Sequence, residues 1–297
     1  MALSILYIGS LNPQSNSFGR FKSLDLMGYE MRGINADDFI YKGAFIKFHH
    51  HLNIGPGINS INKKVVSVAK ECKPDIVWVD NKSWLNAHTL KTIKTNYPAA
   101  KIVNIVTDDI TGKSKSQWRL ALRNVKYFDW IFVQRSVNID ELKRYGARNV
   151  GLCYRSYDPA FHIPLKLNAE EIAKYKCTVG FVGTYERERE EYVAFLIQNN
   201  IPVSITGDSW PGGKYWQLIK PYYKGSSVYG EDYIKTINGM DIALHFLRRG
   251  NRDEQDSRTF EIPSCGVFML AEKSAVHLSL FNDGKEAVYF TAKEELL

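Results

Sequence analysis

The chain has 297 residues, 44% of them hydrophobic and 24% charged, proportions that exclude a disordered chain and fit a globular protein with one large core or two ordinary ones. A formal charge of +7 favours anionic partners, but Lys and Arg are dispersed without a basic block, so no nucleic acid is expected as a partner. No apolar run has transmembrane length.

The opening MALSILYIGS lacks a basic start and turns polar after a strand-length stretch, so it is expected to be a first β-strand rather than a leader. Strand-like runs follow at 75–80 (DIVWVD), 101–107 (KIVNIVT), 130–134 (WIFVQ) and 150–154 (VGLCY), after the first at 4–8. Between them lie helical patterns near 18–28, 58–71, 84–96, 116–127 and 138–145. Apolar strands alternating with helices predict βαβ units and a parallel sheet covered on both faces. Residues 156–170 break the rhythm with two prolines and no period, and are expected to be a linker after a first domain at 1–155. The alternation restarts in a second domain at 171–297. Its strands are expected at 178–182, 202–206, 242–246, 267–270 and 287–290, and its helices at 186–199, 214–222, 231–239 and 275–281. The predicted fold class is α/β, with two such domains facing one another across a cleft and ligands at the carboxyl ends of strands.

Several side chains stand at those strand ends. In the first domain these are Gly9 and Ser10 after the first strand, and Asp108 and Asp109 after KIVNIV, the aspartates as candidates for a base. In the second, Gly183 and Thr184 follow a strand and precede a helix, where open N–H groups suit a phosphate. Arg187 and Arg189 can add charge there or solvate a helix face. There is no GxGxxG, so a dinucleotide fingerprint is absent. Gly207, Asp208 and Trp210 follow the strand PVSIT; the indole either walls a base pocket or lids the core. His245 on its strand is read as a core histidine. A charged loop then leads to SRTFEIPSCGVFMLAE (257–272), where Asp256 or Ser257 caps a short helix. Arg258 near its start suits a diphosphate, and Glu261 suits paired sugar hydroxyls. The run His49–His51 is read as a surface loop. The four scattered cysteines have no CxxC spacing, so no zinc is expected, and they are read as reduced thiols of a cytoplasmic protein.

At these residues a resemblance enters. VGFVGTYERERE (179–190), SITGDSW (204–210), YGEDYIKTINGMDIALHF (229–246), SRTFEIPSCGVFMLAE (257–272) and LFNDGKEAVYF (280–290) resemble, in order and spacing, glycosyltransferases of the two-Rossmann-domain GT-B type. Within that type they resemble the CgeB-like branch named after a spore-maturation protein. In the first half only LKRYGARNVGLCYRSYDPAFHIP (142–164) is similar.

The resemblance implies a nucleotide-diphosphate-sugar donor held mainly by the second domain, with no cofactor and no metal. It puts Glu261 on the donor ribose, Arg258 and the Gly183–Thr184 turn along the diphosphate, Gly207, Asp208, Trp210 and Tyr229 near the base, and Thr259 among the substrate-binding residues. Asp253, eight positions before Glu261, falls where related retaining transferases carry a longer glutamate against the transferred sugar. The acceptor is expected to be a glycan, a lipid-linked molecule or a protein, with peripheral contact at the inner membrane face. Helices returning from the last strand to the first domain are part of the pattern, whereas this sequence stops at TAKEELL, so they are expected to be missing. The expected activity is hexosyl transfer. The alternatives are a non-catalytic nucleotide-sugar or glycan-binding homologue and a sugar-nucleotide epimerase.

Overall fold

The structure is a computed structural model, which describes residues 2–41, 46, 49 and 52–297. The chain divides into two compact units. The first comprises Met1–Tyr154 together with Arg249–Asp253, and the second comprises Arg155–Arg248 and Glu254–Leu297. Each is built on one six-stranded sheet in which every pairing is parallel.

In the first unit, β1 (Ser4–Gly9), β2 (Glu30–Asn35), β3 (Ile76–Asp80), β4 (Lys101–Val106), β5 (Trp130–Val133) and β6 (Val150–Leu152) stand in the order β2-β1-β3-β4-β5-β6. All of β1 is buried, as its unbroken apolar run requires of a strand covered on both faces. The helices are α1 (Asn16–Leu26), α2 (Asp37–Ile40), α3 (Pro56–Cys72), α4 (Ala87–Asn96), α5 (Arg119–Asn124) and α6 (Val137–Arg144). Short 3-10 turns at Lys115–Trp118 and Val125–Tyr127 extend α5 at both ends. One core joins Leu6, Ile8, Val77, Val79, Ile102 and Val106 of the sheet to Ile61 and Val65 of α3 and Leu90 and Ile93 of α4.

In the second unit the strands are β7 (Cys177–Val182), β8 (Val203–Thr206), β9 (Tyr223–Gly225), β10 (Met240–His245), β11 (Phe268–Glu272) and β12 (Val288–Phe290). Their order is β12-β11-β10-β7-β8-β9. The helices are α7 (Ala169–Tyr175), α8 (Arg187–Gln198), α9 (Trp216–Ile219), α10 (Gly230–Asn238), α11 (Arg258–Ser264) and α12 (Ala275–Leu280). Both strand orders reverse between two neighbours, β1 and β3 in the first unit and β7 and β10 in the second. Such a reversal leaves room for a ligand beyond the carboxyl ends of the two strands.

The alternation of strand and helix read from the sequence is present in both units. Four elements are additions, one of them the one-turn helix α2. Strands β2 and β9 lie at sheet edges, and EMRGIN in β2 buries only Ile34, so it has no apolar signature. Helix α7 falls across the expected linker boundary and buries none of its residues. It is held by a capping box, in which the Asn168 side chain accepts the Glu171 N–H and Glu171 returns a bond to the Asn168 N–H.

Two corrections concern histidine and tryptophan. His49 is not a surface residue: it is buried, its Nε2 accepts the Gly57 N–H at 3.0 Å, and its Nδ1 lies 3.1 Å from the Ile40 carbonyl. His50 and His51 lie outside the described residues. Trp210 is fully buried, packs edge-on to Phe181 and Tyr185, and donates its indole N–H to the Gly183 carbonyl at 2.9 Å. An indole so enclosed has no face to offer a base, and it serves the core of the second unit.

Candidate functional site

At the reversal point of the second sheet, β7 runs into Gly183–Thr184 and β10 ends at His245. The Gly183 N–H continues the ladder to the Thr206 carbonyl at 2.8 Å, so it is not an open donor. Its lack of a side chain is a packing requirement: a Cβ there would meet the Phe181 ring at 2.6 Å, and one on Gly207 (φ +153°) would stand 2.0 Å from the Gly183 carbonyl oxygen. The Asp208 carboxylate takes the Ser227 N–H at 2.9 Å and the Ser227 hydroxyl at 2.6 Å. Tyr229, before the first turn of α10, is 61% exposed.

The charged side chains separate into two groups. Arg187 is 80% exposed and pairs with Glu191 one turn on, a solvated helix face. Arg189 is buried, with Nη1 on the Thr184 carbonyl at 2.9 Å. Its Nε has no hydrogen-bond partner, and the Glu186 carboxylate stands 3.9 Å away. Burial lowers its pKa, and Arg258 is close enough to lower it further by repulsion. Arg258 in turn approaches Asp256 at 3.6 Å and has a buried Nε without a partner. Burial acts against its charge, yet its acidic neighbours Tyr233, Asp256 and Glu261 hold its pKa above the usual arginine value.

Asp256 organises this corner. One oxygen, Oδ1, accepts the Arg258 N–H at 2.8 Å at the start of α11 and lies 2.9 Å from His245 Nε2. Burial would raise its pKa, but His245 and Arg258 hold it far below the carboxylate range. His245 is fully buried, and its other nitrogen, Nδ1, also has no partner. Two guanidinium donors of one neighbourhood, Arg189 Nε and Arg258 Nε, are thus buried and unbonded, and His245 Nδ1 beside them has no partner. Buried donors are ordinarily paired, so such a gathering invites a ligand with several acceptor oxygens.

Glu261, one turn after Arg258, is enclosed by Tyr233, whose hydroxyl donates to Oε2, and by His162, whose Nε2 lies 3.5 Å from Oε1. Thr259, between them, is fully buried. Its hydroxyl oxygen accepts the Asp256 N–H at 3.1 Å and lies 3.0 Å from His277 Nε2, so it braces the start of α11. Pro263 lies in the last turn, where the helix ends at Ser264.

In the first unit, Gly9 closes β1 against Ser17 and Asp80, and the Ser10 hydroxyl donates to Asp37. Asp80, at the end of β3, is clamped by Arg20 through two bonds of 2.6 and 2.7 Å and receives the Tyr7 hydroxyl at 2.6 Å. Beyond it Lys82 lies 4.4 Å from the Trp84 ring, and burial brings its ammonium down to about 8. Asp108 takes one bond, from Asn81 Nδ2 at 2.9 Å. Asp109 is engaged on both oxygens by Arg252, at 2.6 and 2.7 Å, and by Asn138 at 2.9 Å. Burial would raise its pKa, but those bonds hold it low. Arg252 also bonds Glu141 and, with Thr111 and Asn138, drives that carboxyl down to about 2. Asp253 belongs to this unit, not to that of Glu261, and is paired with the buried Arg135, which also bonds the Thr107 carbonyl at 2.9 Å.

The structure therefore gathers Arg189, Arg258 and Glu261 of the predicted residues, and adds Asp256, His245, Tyr233 and His162. Asp256 carried a signal as a helix cap, and His245 as a histidine at a strand end. Tyr233 and His162 come from other segments of the chain and carried none. Among the described residues no group of three or more His, Cys, Asp or Glu is placed to hold a metal ion.

Residues 187–297, which include Arg189, Tyr233, His245, Asp256, Arg258 and Glu261 but not His162, match a family model described as glycosyl transferase-like. No curated protein matches the chain. Among solved structures it is similar over 99% of its length to Anabaena HepE in complex with UDP-glucose, at 15% identity and TM-score 0.64, covering 87% of that chain. It is similar over 99% of its length to sucrose-phosphate synthase from Thermosynechococcus elongatus, at 10% identity and TM-score 0.63, covering 88% of that chain. UDP-GlcNAc 2-epimerase from Methanocaldococcus jannaschii follows the same path at 10% identity and TM-score 0.53, with 99% of this chain and 90% of that one covered. The fold is GT-B. At these identities what the chains share is a fold, common to transferases and epimerases alike.

Proposed function

We propose that the protein is a glycosyltransferase that moves a hexose from a nucleotide-diphosphate-sugar donor to an acceptor hydroxyl, and that it belongs to the CgeB-like branch. The observation that carries the reading is the corner at α11. Two arginines with buried, unbonded Nε atoms stand beside a carboxylate one helical turn away. The glycosyl transferase-like match over the same residues and the UDP-glucose bound to HepE support it.

In this reading Arg189 and Arg258 take the diphosphate, whose charge grows as the bond to the anomeric carbon breaks. Fixed cations in a water-poor site stabilise that charge without having to reorganise, and no metal is assigned the task. Glu261, held by Tyr233, accepts the ribose hydroxyls and fixes the donor. Tyr229 is the open aromatic for the base, in place of Trp210. Arg187, Gly183 and Thr259 act through packing and helix surface rather than on the donor.

The first unit is assigned the acceptor side, with Ser10 and Asp108 at its strand ends. Asp108 is the base if configuration inverts, because Asp109 is committed to Arg252. We give Asp253 no part in bond breaking, since it neutralises Arg135.

The test is an assay over a panel of nucleotide sugars, with and without acceptors, products being identified by NMR. Nucleoside diphosphate release with a new glycoside is expected. A changed free sugar nucleotide without acceptor would assign an epimerase, and no turnover with any pair would assign a binding protein.

A further inference from the structure

The stretch from Ile110 to Phe128 contains no acidic residue and five cations, Lys113, Lys115, Arg119, Arg123 and Lys126. The last four are spaced by four, four and three residues along the continuous helical segment formed by Lys115–Trp118, α5 and Val125–Tyr127. Within α5 that spacing sets Arg119 and Arg123 on one face, and Lys115 and Lys126 stand on the 3-10 turns at either end. All five are exposed, while Trp118, Ala121, Leu122 and Val125 of the same segment are buried in the core. None of the five makes an ion pair with a described residue. Lys91 of α4 adds a sixth cation: its ammonium and that of Lys126 each lie 5.5 Å from the centre of the Tyr127 ring. Like charges brought together without a carboxylate among them repel, and the repulsion is relieved when an anionic surface covers them.

We propose that this cationic stripe of the first unit is the surface by which the protein docks on a membrane of anionic lipids. A row of point charges along an exposed helix suits a plane of headgroups, and needs no apolar insertion. The stripe does not suit a single-stranded nucleic acid, because the Tyr127 ring is half-buried between two lysines and leaves no open platform for a base. No helix among the described residues is long and apolar enough to cross a membrane, so the contact is one of surface charge.

The test is co-sedimentation of the full chain with vesicles of phosphatidylcholine and phosphatidylglycerol in equal parts, against pure phosphatidylcholine. The protein is expected to pellet with the anionic vesicles only, and to be released by high salt. Lys115→Glu/Arg119→Glu/Arg123→Glu should weaken partitioning by on the order of 100-fold or more, and the corresponding triple glutamine variant by less. A control with the same charge change on α3, Lys63→Glu/Lys64→Glu/Lys70→Glu, should keep most of the binding. Failure of the unmodified chain to pellet, or equal losses in stripe and control variants, would overturn the proposal. So would an oligonucleotide that strips the protein from the vesicles and itself depends on the stripe.

Discussion

The hydroxyl of Tyr233 donates to Oε2 of Glu261, so the carboxylate proposed to hold a ribose is fixed by a half-buried side chain of the preceding helix. Removing that hydroxyl frees the carboxylate to turn. Tyr233→Phe should weaken donor binding about tenfold, the worth of one charge-assisted hydrogen bond, while leaving the melting temperature near that of the unmodified protein. Calorimetric titration with the donor measures the first and a thermal melt the second.

By sequence Arg258 suits the diphosphate and Arg187 either adds charge there or solvates a helix face; the structure separates the two. Arg258→Ala should lower kcat by roughly 100- to 1,000-fold, as loss of a preorganised donor to a developing oxyanion does. Arg187→Ala, at an exposed surface pair, should leave kcat within about twofold. Equal effects of the two substitutions would remove the distinction.

Trp210 is argued to be core. Trp210→Ala should cost about 3–5 kcal/mol of stability, measured by denaturant unfolding. Whatever protein remains folded should bind the nucleotide as before. Selective loss of base discrimination in a stable variant would return the indole to the site.

The contrast among these residues explains how much was legible beforehand. Buried parallel strands such as SILYIG announce themselves because both faces are apolar. EMRGIN does not, because an edge strand is paired on one side and this one buries a single residue. Helix α7 was legible in principle from Asn168 and Glu171, but with no buried residue it had no period to notice. In the site, Arg258 and Glu261 were readable because they lie one turn apart on one helix. Arg189 could not be told from Arg187 by spacing alone, since only packing against Thr184 and Phe181 buries one and not the other. Asp109 and Asp253 read as free acids, because the partners that neutralise them, Arg252 and Arg135, are over a hundred residues away along the chain.

His277 is fully buried, with Nδ1 2.8 Å from the Glu272 carbonyl and Nε2 against the Thr259 hydroxyl, an arrangement that suits the neutral ring. Burial, with His245 nearby, lowers its pKa from 6.5 to about 4. The folded state therefore binds fewer protons than the unfolded one between those values. Stability is full above pH 6.5 and falls as the pH drops toward 4, by on the order of 3 kcal/mol. Urea unfolding across that range should show the loss, and His277→Gln should flatten it.

The central claim is that the corner of Arg189, Arg258 and Glu261 binds a nucleoside diphosphate, and a thermal-shift series with the nucleoside diphosphates and their parent nucleosides tests it most directly. One diphosphate should raise the melting temperature with a saturable dependence on its concentration, the matching nucleoside should raise it far less, and Arg258→Ala or Glu261→Ala should abolish the shift. No shift with any diphosphate, or a shift that survives both substitutions, would contradict the account.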